Sequence, residues 1–495
     1  LPLSRQEIVK HLAIIRDSAS ALNSIEKAEL EFYEKEYSEF NPGNPDTTIF
    51  AKKDSYGRFG FLTARNNGFM GRAEPVAAFE TRQGREKSIL KSVKGLQFWG
   101  HAGKRWGFQA YFTEITESGN GIDTIKQFTN EPGIIRTANI KKDAKSLNYT
   151  NFRGSLTYNW NNGSVSIGHD NLLWGYGENG HMVLSDKAPA YPFIRLDYQP
   201  LKWLSFNYAH TWLHSGLIDS ARTYAKGNSV YGNVREIYVQ KYMATHSLNF
   251  FPIKGLALSI GESMVYSDRI EAGYLIPIMF FKAYDQYASR YKISTGSNGQ
   301  FFFQASSRNH IPKTHLYANL FIDEIRVSEV FNKEKNRNQV GFNIGASVID
   351  ILIPYTTFGL EYTRINPFVY QNLVPAQNYT NQNYFLGDWI GQNADRVTAW
   401  IKYNPIPRLM TEVQLNYIRK GPDGNIEDQY YAEPQPKFLA NPFNVQKQLM
   451  FDIKYEIIHQ LRVYGSYQHQ GGIIRPELQP KAVPNEFRFG VSYGF

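Results

Sequence analysis

The last residues of the chain constrain its fold more than any other stretch. Phe487, Phe489, Val491, Tyr493 and Phe495 alternate without a break with Arg488, Gly490, Ser492 and Gly494. Successive side chains on a strand point to opposite faces, so this segment reads as a strand with one wholly apolar face. A bare strand edge invites pairing with other chains. A final strand that is apolar along one face suits a sheet closed on itself, with that face against lipid.

The same period of two recurs from Arg58 onward. Trp106, Phe108, Ala110 and Phe112 alternate with Gly107, Gln109, Tyr111 and Thr113; Val340, Phe342, Ile344, Ala346 and Val348 alternate with Gly341, Asn343, Gly345 and Ser347. Phe451, Ile453, Tyr455 and Ile457 do so with Asp452, Lys454 and Glu456. The polar sets are small or charged, which predicts a hydrated or polar-packed interior; a soluble sandwich would carry the same pattern with its polar face outward.

Connection lengths favour the barrel. Short links occur at Asn161-Asn162-Gly163, Gln199–Lys202, Pro252–Gly255, Asn404–Pro407 and His459-Gln460. They alternate with long aromatic and polar stretches at Ser118–Ser146, His214–Lys241, Asp268–Gly299, Gln371–Asp395 and Gly421–Gln446. Short periplasmic turns and long external loops give a transmembrane barrel this rhythm. The strand count is about eighteen, leaving roughly 25 residues per strand with its loop against the roughly 9–11 needed to span.

Bulk properties agree. Mean hydropathy is −0.44, and the longest apolar run, Tyr274 to Phe281, contains Pro277. A spanning helix needs about 20 predominantly apolar residues, so a helical membrane protein is excluded. The 33 Tyr, 33 Phe and 8 Trp could furnish aromatic girdles at both membrane interfaces. The net charge of +9 is spread along the chain and suits anionic headgroups or an acidic glycan. There are no cysteines. The start at Leu1, with no charged and apolar leader after it, fits a processed secreted chain or a trimmed one.

The first 45 residues differ. Ser4-x-x-Glu7 reads as a capping box, in which the two side chains satisfy orphan backbone N–H groups, and Asn23-x-x-Glu26 is expected to cap a second helix. Ile8, Leu12, Ile15, Ala19 and Leu22 form one helical stripe, the second helix is expected to run to about Glu36, and Asn41-Pro42-Gly43-Asn44-Pro45 terminates it. The expected fold is therefore all-β, a transmembrane antiparallel up-and-down barrel of about 18 strands with a short N-terminal helical hairpin. Residues 1–45 form a periplasmic helical region and 46–495 the outer-membrane barrel, closed by Phe487, Phe489, Val491, Tyr493 and Phe495.

Catalytic and metal motifs are weak. Gly175-Tyr176-Gly177-Glu178-Asn179-Gly180 has dinucleotide-fingerprint spacing, but that motif requires a following helix, and Pro189 with no helical run argues for a tight loop instead. The eleven histidines offer no paired metal spacing. Glu361, Glu412, Asp452 and Glu456 read as lumenal acids that pair with Lys402, Lys454, Arg462 and Arg488 rather than as catalysts. No enzyme activity, cofactor, metal or nucleic-acid partner is expected.

Two segments resemble the Wzi-like capsule assembly family, especially its Bacteroidetes members and the RemB gliding-associated group. One runs from Gly168-His169-Asp170-Asn171-Leu172-Leu173-Trp174-Gly175 through Leu184-Ser185 and Ala188-Pro189 to Phe193–Tyr198. The other is Gly261-Glu262-Ser263-Met264-Val265-Tyr266, followed by Tyr274-Leu275-Ile276-Pro277 and Phe280-Phe281. The terminal strand also resembles the targeting signal read by the outer-membrane assembly machinery. The resemblance implies a surface lectin retaining capsular polysaccharide. Tyr and Trp faces stack on sugar C–H surfaces, while Asn, Asp and Arg give directional hydrogen bonds. Asp170, Trp174, Tyr176 and Arg195 are the first candidates, and Tyr284, Tyr287 and Arg290 follow. Trp174 and Tyr176 read equally well as interface-belt anchors, and Asp170 and Arg195 as an ion pair inside the barrel. Expected partners are outer-membrane lipid and lipopolysaccharide, surface polysaccharide, and other outer-membrane or periplasmic proteins through the N-terminal helices. The alternatives are an accessory subunit of a secretion, adhesion or gliding complex, and a diffusion porin.

Overall fold

The computed structural model describes residues 5–38, 47–54, 57–66, 68–135, 145–225, 234–293, 296–325, 327–329, 331–332, 335, 337–440, 443–473 and 485–494. Among these, one sheet holds a hairpin, β1 (Thr47–Lys53) and β2 (Phe59–Asn66), and a ring of eighteen strands. The ring runs through β3 (Phe69–Gly84), β4 (Ser88–Ala102), β5 (Trp106–Gly119), β6 (Ser146–Trp160), β7 (Gly163–Asp170), β8 (Tyr191–Leu201) and β9 (Leu204–Ile218). It continues through β10 (Tyr238–Phe250), β11 (Leu256–Ser267), β12 (Asn298–Arg308), β13 (Thr314–Glu324), β14 (Gln339–Ile349) and β15 (Thr356–Ile365). The last strands are β16 (Ala394–Tyr403), β17 (Leu409–Lys420), β18 (Asn444–Ile458), β19 (Leu461–Ile473) and β20 (Asn485–Tyr493).

β20 closes the ring against β3, pairing Glu486 with Gly84 through to Tyr493 with Ala77. The same edge of β3 pairs with β2 at Phe69–Ala73, so the hairpin extends one end of β3 without entering the ring. Phe487, Phe489 and Val491 are exposed on the outer wall. The Tyr493 hydroxyl donates to Glu74 Oε2 at 2.9 Å, and Phe495 lies outside the described residues. Ile344, Leu360, Leu415, Phe451 and Ile453 continue the exposed apolar wall, the surface that lipid requires. On the inner wall, aromatic rings lie over glycines of neighbouring strands. A Cβ on Gly345, Gly359 or Gly490 would come within 2.2, 2.0 and 2.3 Å of Tyr317, Trp400 and Tyr464.

The interior is less polar than the alternation predicts. Two long connections, residues 171–190 and 366–393, turn into the lumen and build a dry core there. Trp174, Met182, Val183, Leu184, Tyr370, Tyr379, Leu386 and Ile390 pack against inward wall residues such as Ala209, Met243, Val265, Phe302 and Phe321. Burying this apolar surface is worth about 25 cal/mol per Å², which holds the loops inside although they are joined to the external ends of the strands. The glycine-rich segment 175–180 is a turn of this plug. Gly175 has φ of +135°, and a Cβ on Gly177 would sit 2.0 Å from the Gly180 carbonyl oxygen.

A third connection folds outward. Residues 268–293, including α3 (Phe281–Arg290), lie on the outer wall of β9–β11. There they cover Tyr208, Tyr242, Met264 and Tyr266, while His246 Nδ1 pairs with the Pro277 carbonyl at 2.9 Å.

At the opposite end, where the turns are short, two helices dock. They are α1 (Arg5–Asp17) and α2 (Ser24–Glu36). Asn23 Oδ1 accepts from the amides of Ile25 and Glu26 at 2.9 and 3.1 Å, and Glu26 Oε2 accepts from Asn23 N at 2.9 Å, the expected capping box. Ser4 and the Asn41–Pro45 breaker lie outside the described residues. Phe32 of α2 stacks on His459 at 3.9 Å, the His459 ring meets the Phe32 carbonyl at 2.8 Å, and Glu29 accepts from Arg408 N at 2.6 Å. Glu36 binds Arg58 Nε at 2.7 Å, and Arg58 also reaches Glu74 at 3.1 Å. The apolar stripe of α1 stays shallow, since Ile15 is 44% and its neighbour Ile14 63% exposed.

Candidate functional site

Beside the plug, towards the long-loop end, lies a cavity of about 480 Å³. One wall is a block of amides on three adjacent strands: Gln414 and Asn416 of β17, Gln446 and Gln448 of β18, Gln468 and Gln470 of β19. Strand register assembles it. Gln448 pairs with both Asn416 and Gln470, and Met450 with Gln414 and Gln468, so side chains about 5 Å apart across the sheet form two rows. Asn416 Nδ2 donates to Gln448 Oε1 at 3.3 Å and Gln414 Nε2 to Asn179 Oδ1 at 3.0 Å. Each amide keeps donor or acceptor capacity beyond these bonds.

The facing wall is aromatic and charged. Phe128 and Trp389 meet edge to face at 5.4 Å, and the Arg396 guanidinium sits 5.3 Å over Trp389. Lys126 lies between Glu117 at 3.1 Å and Glu131 at 2.6 Å, while Arg82 bridges Glu80 and Glu131. Burial alone would raise the Glu131 carboxyl; Lys126 and Arg82 outweigh it and hold it well below the ordinary range. Lys187 donates to the carbonyls of Lys126, Thr129 and Glu131 at 2.6–2.8 Å. Burial brings its ammonium down to about 8, so it stays mostly charged at neutral pH. Burial also lowers His181. Its Nδ1 and the Asn179 Nδ2 are buried without a partner among the described residues, and both residues line the cavity.

The plug is tied to the wall by a buried ion network. Arg396 pairs with Asp388 at 3.1 Å and Glu361 at 3.3 Å. Glu361 Oε2 accepts from Glu178 N at 2.9 Å and from the Tyr317 hydroxyl at 2.6 Å. Glu178 in turn lies 3.4 Å from Lys402, and Asn319 Oδ1 accepts from Tyr176 N at 3.1 Å.

The seven residues singled out from sequence do not converge, and none lines this cavity. Trp174 is buried in the plug, edge-on to Phe302 at 6.0 Å, away from either membrane interface. Tyr176 follows it in the same loop. Asp170 and Arg195 face the lumen but do not pair with each other: Asp170 lies 3.9 Å from Arg153, and Arg195 2.7 Å from Asp197. Tyr284 packs on Tyr274 at 5.1 Å within the outer flap, while Tyr287 and Arg290 are exposed on it. Of the lumenal acids, Glu456 has its expected partner Arg462 at 3.4 Å, and Glu361 takes Arg396 instead. The amide block escaped the sequence reading, although Gln446/Gln448 and Gln468/Gln470 are spaced for one strand face.

A family model of capsule assembly protein Wzi matches residues 328–474. Of solved structures, one similar in fold is the Escherichia coli Wzi outer membrane protein, described as involved in group 1 capsule assembly and as a carbohydrate-binding β-barrel. It is 12% identical, with a TM-score of 0.52 over 86% of this chain and 85% of that one. Over residues 328–474 the chain is similar to the Wzi capsule assembly family. It is an outer-membrane β-barrel. The matched stretch holds β14–β19, the second plug loop and all six amides; the two segments quoted from sequence lie outside it. Pseudomonas aeruginosa OprD is 11% identical, with a TM-score of 0.45 over 86% of this chain and 94% of that one. Acinetobacter baumannii OccAB4 is 9% identical, with a TM-score of 0.46 over 87% and 98%. No curated protein sequence matches the chain.

Proposed function

We propose that this Wzi-like barrel binds and retains surface polysaccharide, with the amide-lined cavity as its sugar-binding site. The observation that carries the reading is the cross-strand block Gln414, Asn416, Gln446, Gln448, Gln468 and Gln470 facing Trp389. Sugar hydroxyls both donate and accept, and so do carboxamides. An indole or phenyl face supplies the apolar contact that a pyranose ring offers. Most acids and bases around the cavity neutralise one another in pairs, which favours neutral sugar units there. By the usual assignment of long loops to the cell exterior, the cavity lies on the side from which a surface glycan would arrive.

The reading is one of binding, without catalysis or diffusion. A packed plug pinned by Glu361, Arg396 and Asp388 supports retention over passage. Deleting the protein is expected to shed capsule into the medium, and Trp389→Ala with Gln448→Ala to weaken binding of purified capsule to the solubilised barrel at least tenfold. Unchanged cell-bound polysaccharide in the deletion strain would overturn the proposal.

A second reading, an accessory subunit of a larger envelope assembly, draws on the helical hairpin. Ile14 and Ile15 are exposed on its outer side, where a periplasmic partner could cover them. Stoichiometric co-purification of another protein in mild detergent, lost on Ile14→Asp, is the outcome it requires.

A further inference from the structure

A second pocket, of about 430 Å³, lies at the long-loop rim between the ends of β14 and β15 and residues 429–438 of the connection after β17. Three cations line it, Arg337, Arg364 and Lys437, together with amides such as Asn338 and Gln435. Among the described residues, no carboxylate lines it. The one acid in register with Arg364 is Asp395 of β16. It is already engaged, accepting from Arg419 Nε at 2.8 Å and from the Tyr362 hydroxyl at 3.1 Å.

The two guanidinium groups are held in place by aromatic rings. Arg364 stacks on Phe438 at 3.9 Å and Arg337 on Tyr430 at 4.7 Å, with Arg364 Nε donating to Asn366 at 3.0 Å and Arg337 Nη2 to the Tyr430 carbonyl at 3.1 Å. Stacking fixes each plane and leaves N–H edges for a multidentate acceptor. Phosphates and carboxylates are both such groups, and a phosphate offers more acceptor oxygens to several cations at once.

Position selects the source of that phosphate. Glu361, Thr363 and Ile365 face the lumen, so Leu360, Tyr362 and Arg364 lie on the outer wall of β15. Leu360 is 56% exposed, as lipid contact demands. Tyr362 and then Arg364 follow on the same face towards the long-loop rim, the direction in which the outer-leaflet headgroups of such a barrel lie.

We infer that this pocket binds the phosphate of an anionic outer-leaflet glycolipid. It is a site separate from the lumenal cavity and independent of the polysaccharide reading. The test measures binding of bis-phosphorylated lipid A, dephosphorylated lipid A, inorganic phosphate and a polyuronate to the full barrel in neutral detergent. The phosphorylated lipid should bind at least tenfold more tightly than the dephosphorylated one. Arg337→Gln with Arg364→Gln should abolish that preference while heat-modifiable migration and capsule binding persist. Lys437→Gln, on an exposed loop outside the strands, should reduce it severalfold. Equal affinity for inorganic phosphate would overturn the lipid assignment. So would loss of polyuronate binding in the double variant with lipid A binding intact, or a lipid preference that survives all three substitutions.

Discussion

The Glu262 carboxylate on the outer wall of β11 accepts the amide N–H of Phe281, the first residue of α3, at 2.5 Å. It also accepts from Lys282 N at 3.2 Å and lies 3.0 Å from His246 Nε2. A strand carboxylate thus satisfies the orphan donors of a helix belonging to a loop more than ten residues away. The helix in return covers an acid that lipid would not tolerate bare.

Replacing Glu262 with Ala should therefore loosen the flap and leave the ring closed. Losing a charged acceptor beneath buried donors costs about 1–3 kcal/mol locally. Protease cleavage within residues 268–293 should accelerate by about tenfold, while Glu262→Gln, which keeps one acceptor oxygen, should fall between. Equal cleavage rates in all three proteins would refute the role.

Among the described residues Arg396 is the one cation that pairs with both Glu361 and Asp388, and all three are at most 1% exposed. Arg396→Met would leave two buried acids facing each other, a loss of about 3–5 kcal/mol. The plug should detach at its wall contact. Planar-bilayer recordings would then show conductance absent from the parent protein.

Helix docking should depend on acid pH. Burial would raise Glu36, but Arg58 and Arg5 outweigh it and hold the carboxyl below its ordinary value. A depressed folded value contributes stability that is complete above the unfolded value of about 4.3 and fades as pH falls through the folded one. Proteolysis of α1 and α2 should hence rise below about pH 4 and stay flat between pH 5 and 7. Glu36→Gln should remove that acid-dependent step.

Gly359 takes the Trp400 ring against its backbone, with ring atoms 2.0–2.7 Å from where a Cβ would be. Gly359→Ala should displace the indole and destabilise the barrel by about 1–3 kcal/mol, read as a lower temperature for loss of heat-modifiable migration. Gly107, whose added Cβ would meet nothing within 4 Å, should accept Ala with little change.

Much of the barrel was legible in the order of residues alone. Outer faces such as Phe487–Phe489–Val491 and Phe451–Ile453 follow from the period of two. Lipid accepts only apolar side chains, so that face repeats through the chain. The Asn23–Glu26 cap is equally local, since every atom involved lies within four residues. What only the tertiary structure decided is where the long connections go. Residues 171–190 and 366–393 turn inward, 268–293 turns outward, and 421–440 leans over the rim. From sequence the last three read alike as aromatic and polar loops and 175–180 as a tight loop, because their burial depends on wall residues such as Phe302 and Ala209, which are distant in sequence. The amide block belongs to the same class. Gln448 fixes the face it shares with Gln446, but its neighbours Asn416 and Gln470 are chosen by strand register, which no single strand encodes.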